Sequence, residues 1–376
     1  MKNERAFQRP LWTRRSFLGA GFLPALPGWK YEFPRDHFSH ADFRTEWWYY
    51  TGNLDSRGRH FGFELTFFRQ AVSEKPSSAS VWGTRDIWMA HLALTDTAGQ
   101  QFFHAERLNR SGPGLAGVDA QKQKIWNGNW RCELRPDQHT LVGTDPRFRF
   151  QMQLRPTKAP VIHGQGGVSQ KGPKPGQASL YVSFPRFAAA GKVAVGGEEF
   201  AVTGTAWMDH EVFSSELDPQ LAGWDWFSIQ LEDNTELMLY RLRQKDGTAS
   251  SFSAGSFIDA AGKVLHLSAS DFRLRPGRRW KDYPVEWELE VPQLGLALRA
   301  RPRLDAQELL SGTGLTPSYW EGAMLFEGAK GLEGARKGVG YLEMTGYDKA
   351  LRFLDAPETS QSSRQSASGY EKLGLK

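Results

Sequence analysis

This sequence has little cysteine, no long apolar run and only a small excess of positive charge. Its 376 residues include one cysteine, Cys132, so no disulfide can form within the chain. No run of about 20 apolar residues occurs, which excludes a protein built from several transmembrane helices. Lysine and arginine number 47, against 42 aspartate and glutamate residues. The surplus forms no basic stripe interleaved with aromatic residues, so we expect no nucleic-acid partner.

Motifs that mark several large enzyme classes are also absent. There is no G-x-S-x-G turn of a serine α/β-hydrolase. There is no H-E-x-x-H zinc motif and no glycine-rich phosphate loop. Cys132 has no thiol-protease signature around it. We therefore expect a protein that uses no bound cofactor.

Aromatic residues are abundant instead: 14 Trp, 24 Phe and 10 Tyr make up 13% of the chain. Such rings suit half-buried sheet surfaces and apolar cavities. Apolar and polar residues alternate over residues 148–155, and similar alternation recurs along the chain between hairpin-type turns. Helical periodicity is scarce, with residues 305–310 as the best short candidate. The pattern predicts an all-β fold of antiparallel barrels or sandwiches.

The first 29 residues have the pattern of an export signal rather than of a folded segment. Arg14 and Arg15 follow a basic start and precede a short, mildly apolar segment, residues 16–26, as in twin-arginine signals. A segment of that length is too short to cross a bilayer. The alternative is a basic arm on a cytoplasmic protein. We predict a periplasmic or secreted protein, exported by the twin-arginine route.

Two other segments interrupt the strand pattern and indicate how the chain is divided. Residues 158–177 are rich in Gly, Pro, Lys and Gln, and they predict a long functional or mobile loop that carries His163. Residues 357–376 are rich in Ser and Gln and predict a disordered tail. A seam near residues 213–220 divides the remainder into two domains, 30–213 and 214–356.

Titratable residues embedded among aromatic residues are the candidates for chemistry. A charge beside large rings is either exposed to solvent or desolvated with a shifted pKa, and the second case suits general acid–base catalysis. On a strand, Asp209 and Glu211 share one face and His210 lies on the other. All three reach a common cavity if the strand ends there. The four candidate segments are Asp36-His37, Glu46-Trp47-Trp48-Tyr49, Trp207-Met208-Asp209-His210-Glu211 and Trp224-Asp225-Trp226.

Each candidate also has a purely structural interpretation. Residues 209–211 could cap a turn, and Glu46 could form an ion pair with Arg44 or Arg69. His91 could be a satisfied core histidine, since it alternates with apolar residues on its strand. A metal site is a further alternative, but no helical or loop spacing fixes one, and we predict no metal. Its ligands would be His37, Asp209, His210 and Glu211.

Six motifs resemble those of one known family and together span about residues 33–355. They are Phe33-Pro34-Arg35-Asp36-His37, Arg44-Thr45-Glu46-Trp47-Trp48-Tyr49, Ala90-His91-Leu92-Ala93-Leu94, Gly204-Thr205-Ala206-Trp207-Met208-Asp209-His210-Glu211, Gly223-Trp224-Asp225-Trp226-Phe227-Ser228 and Gly340-Tyr341-Leu342-Glu343-Met344-Thr345-Gly346. On these motifs the sequence is similar to the AttH/carotenoid 1,2-hydratase (hydroxyneurosporene synthase) family. Exported members of that family are often labelled predicted secreted hydrolases.

The resemblance implies two lipocalin-like β-barrels in tandem, with a ligand cavity near their junction. In the wider superfamily, hydratases add water across an isolated isoprenoid double bond, and pericyclase-like enzymes act on polyketides. This chain reads Asp209-His210-Glu211-Val212 where hydratases of phototrophs carry a D-H-N-W string. That difference argues against carotenoid hydration itself.

Two functions are compatible with these residues, and a structural role in the envelope is a third that the pocket-forming composition makes less attractive. The first is an enzyme that performs acid–base chemistry, hydration or hydrolysis, on an isoprenoid-, lipid- or polyketide-like substrate in an aromatic-lined pocket. The second is a non-catalytic lipocalin-type carrier, which has no use for clustered carboxylates and imidazoles, so the enzyme is favoured. The predicted catalytic residues, which should line one cavity, are Asp209, His210, Glu211, Glu46 and His37. The predicted substrate-binding residues are Trp48, Tyr49, His91, Tyr181, Trp207, Trp224, Asp225 and Trp226.

Overall fold

The chain folds almost entirely into antiparallel β-strands, which confirms the all-β prediction. No helix in the described part is long and apolar enough to cross a membrane. Helical residues there form two 3-10 helices, Arg35–His37 and Pro292–Leu294. The twin-arginine motif and the predicted tail lie outside the described residues. The computed structural model describes residues 21–215, 218, 220–312, 318–329 and 336–348.

The first sheet contains strands with the predicted alternation of side chains. In residues 148–155, which belong to one of these strands, the apolar residues are buried, and the arginine and glutamine residues between them are exposed. The strands of this sheet are β1 Thr45–Ser56, β2 Arg59–Ala71, β3 Asp86–Asp96, β4 Gln101–Arg110, β5 Ala116–Asp119, β6 Lys124–Asn127, β7 Trp130–Arg135, β8 Gln138–Thr144, β9 Phe148–Pro156, β10 Val161–Ile162, β11 Ser169–Gln170, β12 Ala178–Val195 and β13 Glu198–Phe213.

This first sheet curls into a nearly closed barrel. Its strand order is β4-β3-β2-β1-β13-β12-β9-β8-β7-β6-β5, with β10 and β11 paired to β12. The two ends of this order meet at Asn127 of β6. Asn127 Nδ2 donates to the backbone oxygen of Trp88 on β3 at 3.2 Å, and Oδ1 accepts from Asn109 on β4 at 2.6 Å. Large apolar side chains, including Trp48 and Trp130, fill the interior.

The second sheet is a half-barrel, so the chain forms two antiparallel sheets, as the all-β prediction required. The strands are β14 Leu221–Leu231, β15 Glu236–Gln244, β16 Ala254–Ile258, β17 Val264–Ser268, β18 Arg273–Pro276, β21 Trp287–Val291, β22 Leu296–Pro302, β23 Glu308–Leu309, β24 Tyr319–Gly328 and β25 Lys337–Thr345, and a separate hairpin consists of β19 Arg279–Trp280 and β20 Tyr283–Pro284. The strand order of the sheet is β17-β16-β15-β14-β25-β24-β22-β21-β18, with β23 paired to β24. Phe227, Trp287 and Trp320 belong to its apolar core.

The helix predicted at residues 305–310 is wrong, because part of that segment is β23. Leu309 is buried and pairs with Tyr319 of β24. A six-residue segment is too short to offset the cost of helix nucleation, so pairing with a neighbouring strand determines its structure. The segment 158–177 contains only the short strands β10 and β11, and its His163 is buried with 1% of its surface exposed.

Residues 21–29, which the sequence assigns to the export signal, pack on the first sheet. Ala25 is buried in a small apolar cluster with Phe43 and Val212. The backbone nitrogen of Leu23 donates to the backbone oxygen of Asp42 at 2.9 Å. This part of the expected signal is therefore in contact with the folded domain.

The two sheets face each other through a buried polar interface. Asn53 on β1 donates to the backbone oxygen of Gly340 on β25 at 3.1 Å. Gln230 on β14 donates to the backbone oxygens of Pro185 and Ala206 at 2.8 and 2.9 Å. Along each central strand, alternate side chains fill the core of their own sheet, so the remaining ones lie between the sheets. The polar positions of the alternating pattern are therefore buried at the interface.

Candidate functional site

Strand β13 places the predicted catalytic residues on two different faces. The strand continues to Phe213 and does not end at the candidate segment. Its side chains therefore alternate, with His210 among core residues of the first barrel and Asp209 and Glu211 at the interface. The prediction that these residues line a single cavity is therefore wrong, because they form two separate groups.

The first group surrounds Glu46 and is called the Glu46 cluster; it contains Asp36, His40, Glu46, Arg69 and His210. Glu46 Oε1 lies 2.8 Å from His40 Nδ1 and 2.8 Å from His210 Nε2, and Oε2 accepts from Arg69 Nε at 3.1 Å. Burial alone would raise the pKa of Glu46, but hydrogen bonds from both histidines and the charge of Arg69 hold it well below its ordinary value. The Glu46–Arg69 ion pair considered from the sequence is confirmed.

The Glu46 cluster also contains the three donor atoms that come nearest to a metal-binding arrangement. Ligand atoms of His40, Glu46 and His210 all lie within 4.8 Å of one another. Burial would lower the pKa of His40, but hydrogen bonds to Asp36 and Glu46 raise it to about 9, so the ring is protonated at neutral pH. The carboxylate of Glu46 is also paired with Arg69, so the cluster is held together by ion pairs. A metal would have to displace the proton of His40 in order to bind there.

His37 and Trp48 lie beside this cluster and away from the interface. The Trp48 ring stacks on His210 with 4.8 Å between centroids, and its Nε1 donates to the backbone oxygen of His37 at 2.9 Å. The His37 ring stacks on Phe33 at 4.4 Å. Burial, with repulsion from His210, lowers the pKa of His37 to about 4, so it is neutral at pH 7. The sequence analysis predicted that both residues line one cavity with Asp209, and the structure places neither of them beside it.

The second group lies between the sheets and is called the interface acid cluster; it contains Glu64, Asp209, Glu321 and Glu343. Asp209 is 4% exposed. Its Oδ2 accepts from Tyr181 OH at 2.6 Å, and its Oδ1 accepts from Trp207 Nε1 at 2.7 Å and from Ser183 Oγ. Burial raises the pKa of Asp209 to about 7, although these three hydrogen bonds oppose the rise. Asp209 is therefore a buried acid that can hold or release a proton near neutral pH.

Glu211 has a different environment from Asp209, although both face the interface. Lys171 Nζ, from the segment 158–177, lies 3.0 Å from Glu211 Oε1, and Ser179 Oγ donates to the same oxygen. The Lys171 ammonium also lies 4.0 Å from the centroid of the Tyr240 ring. Glu211 is thus the charged partner of a buried lysine, which ties the long loop to β13.

Three glutamates of the interface acid cluster were missed by the sequence analysis. Tyr319 OH donates to Glu64 at 3.1 Å, Tyr49 OH to Glu321 at 2.7 Å, and Trp224 Nε1 to Glu343 at 3.2 Å. Burial raises the pKa of Glu64 to about 7. Burial followed by repulsion among the carboxylates raises that of Glu343 to about 8 and that of Glu321 well above its ordinary value. Within the described residues, Oε2 of Glu64 and Oε2 of Glu321 have no hydrogen-bond partner.

A sequence signal for these glutamates exists, but it is ambiguous. Glu64 stands between Phe63 and Leu65, and Glu343 between Leu342 and Met344. A lone carboxylate in such a run is normally the solvent-facing residue of a half-buried strand. Only the packing of the second sheet on the first turns these positions into buried ones.

The predicted substrate-binding residues are also divided by the structure. Asp225 belongs to an ion network inside the second sheet, where it accepts from Arg241 Nε at 2.7 Å and from Arg243 Nη1 at 3.0 Å. His91 Nδ1 lies 2.6 Å from Tyr319 OH, which makes it a buried histidine bonded across the interface. Trp226 Nε1 donates to Tyr181 OH at 2.9 Å. The predicted substrate-binding residues that lie at the interface are Tyr49, His91, Tyr181, Trp207, Trp224 and Trp226.

A pocket of about 590 Å³ opens between the segment 158–177 and the second sheet. Its lining includes His163, Tyr240 and His266. None of the residues predicted from the sequence as catalytic or substrate-binding lines it. The pocket is joined to Asp209 through hydrogen bonds of His163, which contacts Ser183.

Stability should fall as the pH rises from about 6.5 to about 8. A folded-state pKa of about 8 means that Glu343 keeps a proton that the unfolded chain has lost, so unfolding releases it and is favoured at higher pH. Histidines with lowered pKa values make stability rise with pH, but only below about pH 6.5, where the histidines of the unfolded chain are protonated. The slope of the unfolding free energy against pH, measured by urea unfolding, should be smaller in Glu343→Gln by up to about 1.4 kcal/mol per pH unit.

The control for this measurement is Glu290→Gln. Glu290 lies on the surface between Arg273 and Arg275, whose hydrogen bonds and charges lower its pKa, so it does not titrate in this window. Its replacement should leave the slope as in the wild type. A Glu343→Gln slope equal to that of the wild type would show that Glu343 is ionised in the folded protein.

Comparison with known proteins relates this arrangement to one family and one fold. The family model described as AttH-like matches residues 24–347. A solved structure from Nitrosomonas europaea that carries the name AttH is 33% identical, with a TM-score of 0.76. It covers 87% of this chain and 100% of its own. No curated protein matches the sequence.

Two more distant structures share the fold. Kievitone hydratase from Nectria haematococca is 14% identical, with a TM-score of 0.61, and the alignment covers 88% of this chain and 99% of that chain. CghA is 13% identical, with a TM-score of 0.56, and the alignment covers 88% and 98% of the two chains. At these identities the likeness shows the fold alone.

Proposed function

This chain belongs to the AttH-like family, and from that premise we propose that it is an enzyme whose interface acid cluster performs acid–base chemistry. The substrate is a hydrophobic isoprenoid-, lipid- or polyketide-like molecule. The reaction is the addition of water to a double bond or the cleavage of a bond by water. The proposal refers to the interface between the two sheets and not to the Glu46 cluster.

The observation that carries the proposal is the burial of the Asp209 carboxyl between the sheets, where it is 4% exposed and accepts hydrogen bonds from Tyr181 and Trp207. This burial raises its pKa to about 7. General acid catalysis is most efficient when the pKa of the acid lies near the working pH. A carboxyl group kept neutral by an apolar site can donate a proton that a surface carboxylate has already lost. Tyr181 and Trp207 fix the orientation of the group through hydrogen bonds of 2.6 and 2.7 Å.

The same interface supports the second half of an acid–base reaction. Once Asp209 has protonated the substrate, a second carboxyl must take a proton from the attacking water. Glu64, whose pKa of about 7 leaves it partly ionised at neutral pH, has one oxygen without a hydrogen-bond partner among the described residues and can accept that proton. Trp207 and Trp226 contribute aromatic faces, which stabilise the positive charge formed when a double bond is protonated.

Hydration is the reaction we favour over hydrolysis. Protonation of carbon needs a desolvated acid that still carries its proton at the working pH, and the interface holds several carboxyls with raised pKa values. Hydrolysis of an ester or amide would instead use a nucleophile–histidine pair or an oxyanion site, and the sequence carries no nucleophile elbow. Kievitone hydratase, with the same fold, is by its name a hydratase.

The alternative function is a carrier of a hydrophobic ligand. The aromatic residues of the interface suit that role equally well. Buried carboxyls with raised pKa values do not, because each costs free energy to bury and contributes nothing to holding an apolar ligand. The acid cluster is therefore what distinguishes the two functions.

The experiment that tests the proposal uses the purified full-length chain. Compounds that co-purify with it are extracted and identified by untargeted mass spectrometry, then returned to the protein in heavy-oxygen water. An enzyme should yield products that contain the heavy oxygen at a rate proportional to protein concentration. A carrier should return the same compounds unchanged. The protein-free solution is the control for spontaneous reaction.

A further inference from the structure

We propose that the pocket beside the segment 158–177 supplies protons to Asp209 through a chain of hydrogen bonds made by His266, Ser256, His163 and Ser183. The proposal rests on the proposed function in one respect, since it takes Asp209 to be the group that gives up a proton. It adds a part of the machinery that lies outside the interface acid cluster. These residues, together with Asp209, are called the relay chain.

The contacts of the relay chain are continuous from the pocket to the buried acid. His266 Nδ1 lies 3.2 Å from Ser256 Oγ, and Ser256 Oγ lies 2.9 Å from His163 Nδ1. His163 Nε2 lies 2.7 Å from Ser183 Oγ, which donates to Asp209 Oδ1. All four links are within hydrogen-bond distance, so no bridging water is needed.

Donors and acceptors along the chain can all point in one direction. Ser183 donates to Asp209, so its oxygen is free to accept from His163 Nε2. With a proton on Nε2, neutral His163 accepts at Nδ1 from Ser256, which in turn accepts from His266. Burial, with the nearby His266 and Lys171, holds the pKa of His163 well below its ordinary value, which keeps the ring in the neutral form.

Burial changes along the chain in the way a proton path requires. His266 is exposed and lines the pocket, where water reaches it. Ser256, His163 and Ser183 are buried, with at most 1% of each residue exposed. The chain also crosses from the second sheet through the long loop to the first sheet. Solvent therefore meets the chain at one end and Asp209 at the other.

The other hydrogen bonds of Asp209 cannot conduct a proton. Trp207 Nε1 donates to Asp209, and an indole nitrogen is a donor with no lone pair to accept a replacement. Tyr181 OH donates to Asp209 and accepts from Trp226 Nε1, so that branch also ends at an indole. Among the hydrogen bonds of the described residues, the branch through Ser183 is the one whose members all both donate and accept.

The proton count balances along the chain. After Asp209 has given its proton to the substrate, its carboxylate takes one from Ser183, which takes one from His163 Nε2. His163 Nδ1 takes one from Ser256, which takes one from His266, and His266 takes one from pocket water. His163 then holds its proton on Nδ1. It returns to its first form when Asp209, on taking a proton from the interface, passes one through Ser183 to Nε2 and another leaves outward from Nδ1 through Ser256 and His266.

Infrared spectroscopy of the resting protein tests the proposal without substrate. At pH about 6, below the pKa of Asp209, the protonated carboxyl has a carbonyl band that is assigned by its loss in Asp209→Asn. Transfer into deuterated water shifts this band as the acid proton exchanges. In His163→Phe and in Ser256→Ala the exchange should slow by about tenfold or more, because it must then wait for local opening of the structure.

His139→Phe is the matched control, since His139 is a buried histidine bonded to Tyr50 and not part of the relay chain. The Asp209 proton in His139→Phe should exchange at the wild-type rate. If His163→Phe does not fold, Ser256→Ala carries the test, because it removes one hydroxyl and leaves His163, Ser183 and Asp209 in place. Wild-type exchange rates in the folded variants, or no Asp209 carboxyl band, would overturn the relay chain. Absence of turnover would not, since no reaction is measured.

Discussion

Asp209→Asn should reduce turnover by about a hundredfold to ten-thousandfold, the range over which general acid catalysis typically contributes. The amide has no acidic proton to give to the substrate. It keeps the size of the carboxyl and can still accept at one oxygen from Trp207 and Ser183, while its amino group can donate to Tyr181. Fold and ligand binding should therefore be retained, so kcat should fall with little change in KM.

The control for this variant is Asp96→Asn. Asp96 is also buried, but Arg59 Nη2 holds it at 2.6 Å, and it belongs to neither cluster. Its replacement should leave turnover at the wild-type level, measured with the same compound. Two results would contradict the role of Asp209: wild-type turnover in Asp209→Asn, or loss of its fold by circular dichroism. Either would make the site a scaffold and favour the carrier.

Glu46→Gln should lower the free energy of unfolding by about 3–5 kcal/mol, the cost of removing one partner from a buried charge network. Glu46 is fully buried, and the side chain of its partner Arg69 is 2% exposed. The substitution leaves the positive charges of Arg69 and His40 without the carboxylate that they share. Urea unfolding of the variant and the wild type at neutral pH measures the difference.

Glu199→Gln gives the comparison for a surface ion pair. Glu199 and Lys192 are 2.7 Å apart, with side chains 44% and 65% exposed. Water screens that pair, so its loss should change the free energy of unfolding far less than Glu46→Gln does. A Glu46→Gln loss as small as that of Glu199→Gln would mean that the Glu46 cluster is not a stabilising network.

The strands were predictable because alternation is a local property of the sequence. Residues 148–155 alternate in the sequence as their burial alternates in β9, and β6, β7 and β8 show the same burial pattern. The failed helix at residues 305–310 shows the limit of that approach, since pairing with Tyr319 is not visible in six residues. Local pattern thus gave the type of structure but not its partners.

The candidate site was only partly predictable, because burial at the interface depends on how two sheets pack. The sequence identified Asp209, Tyr181 and Trp226, which the structure brings together. It grouped His210 with Asp209 because the two are neighbours, although a continuing strand separates them by face. It left out Glu321, since an alternating charge normally faces water and nothing in one strand shows that a second sheet covers it.

The pairing of β1 with β13 has a consequence for how the protein forms during synthesis. Thr45 lies opposite Phe213, so one side of β1 has no partner until β13 has emerged from the ribosome. Until then the growing chain carries an unpaired strand edge, to which another chain could add. Contacts of such large sequence separation also form slowly. Between the synthesis of β1 and that of β13 the growing chain is thus open to aggregation through this edge, and a chaperone that covers the edge would protect it.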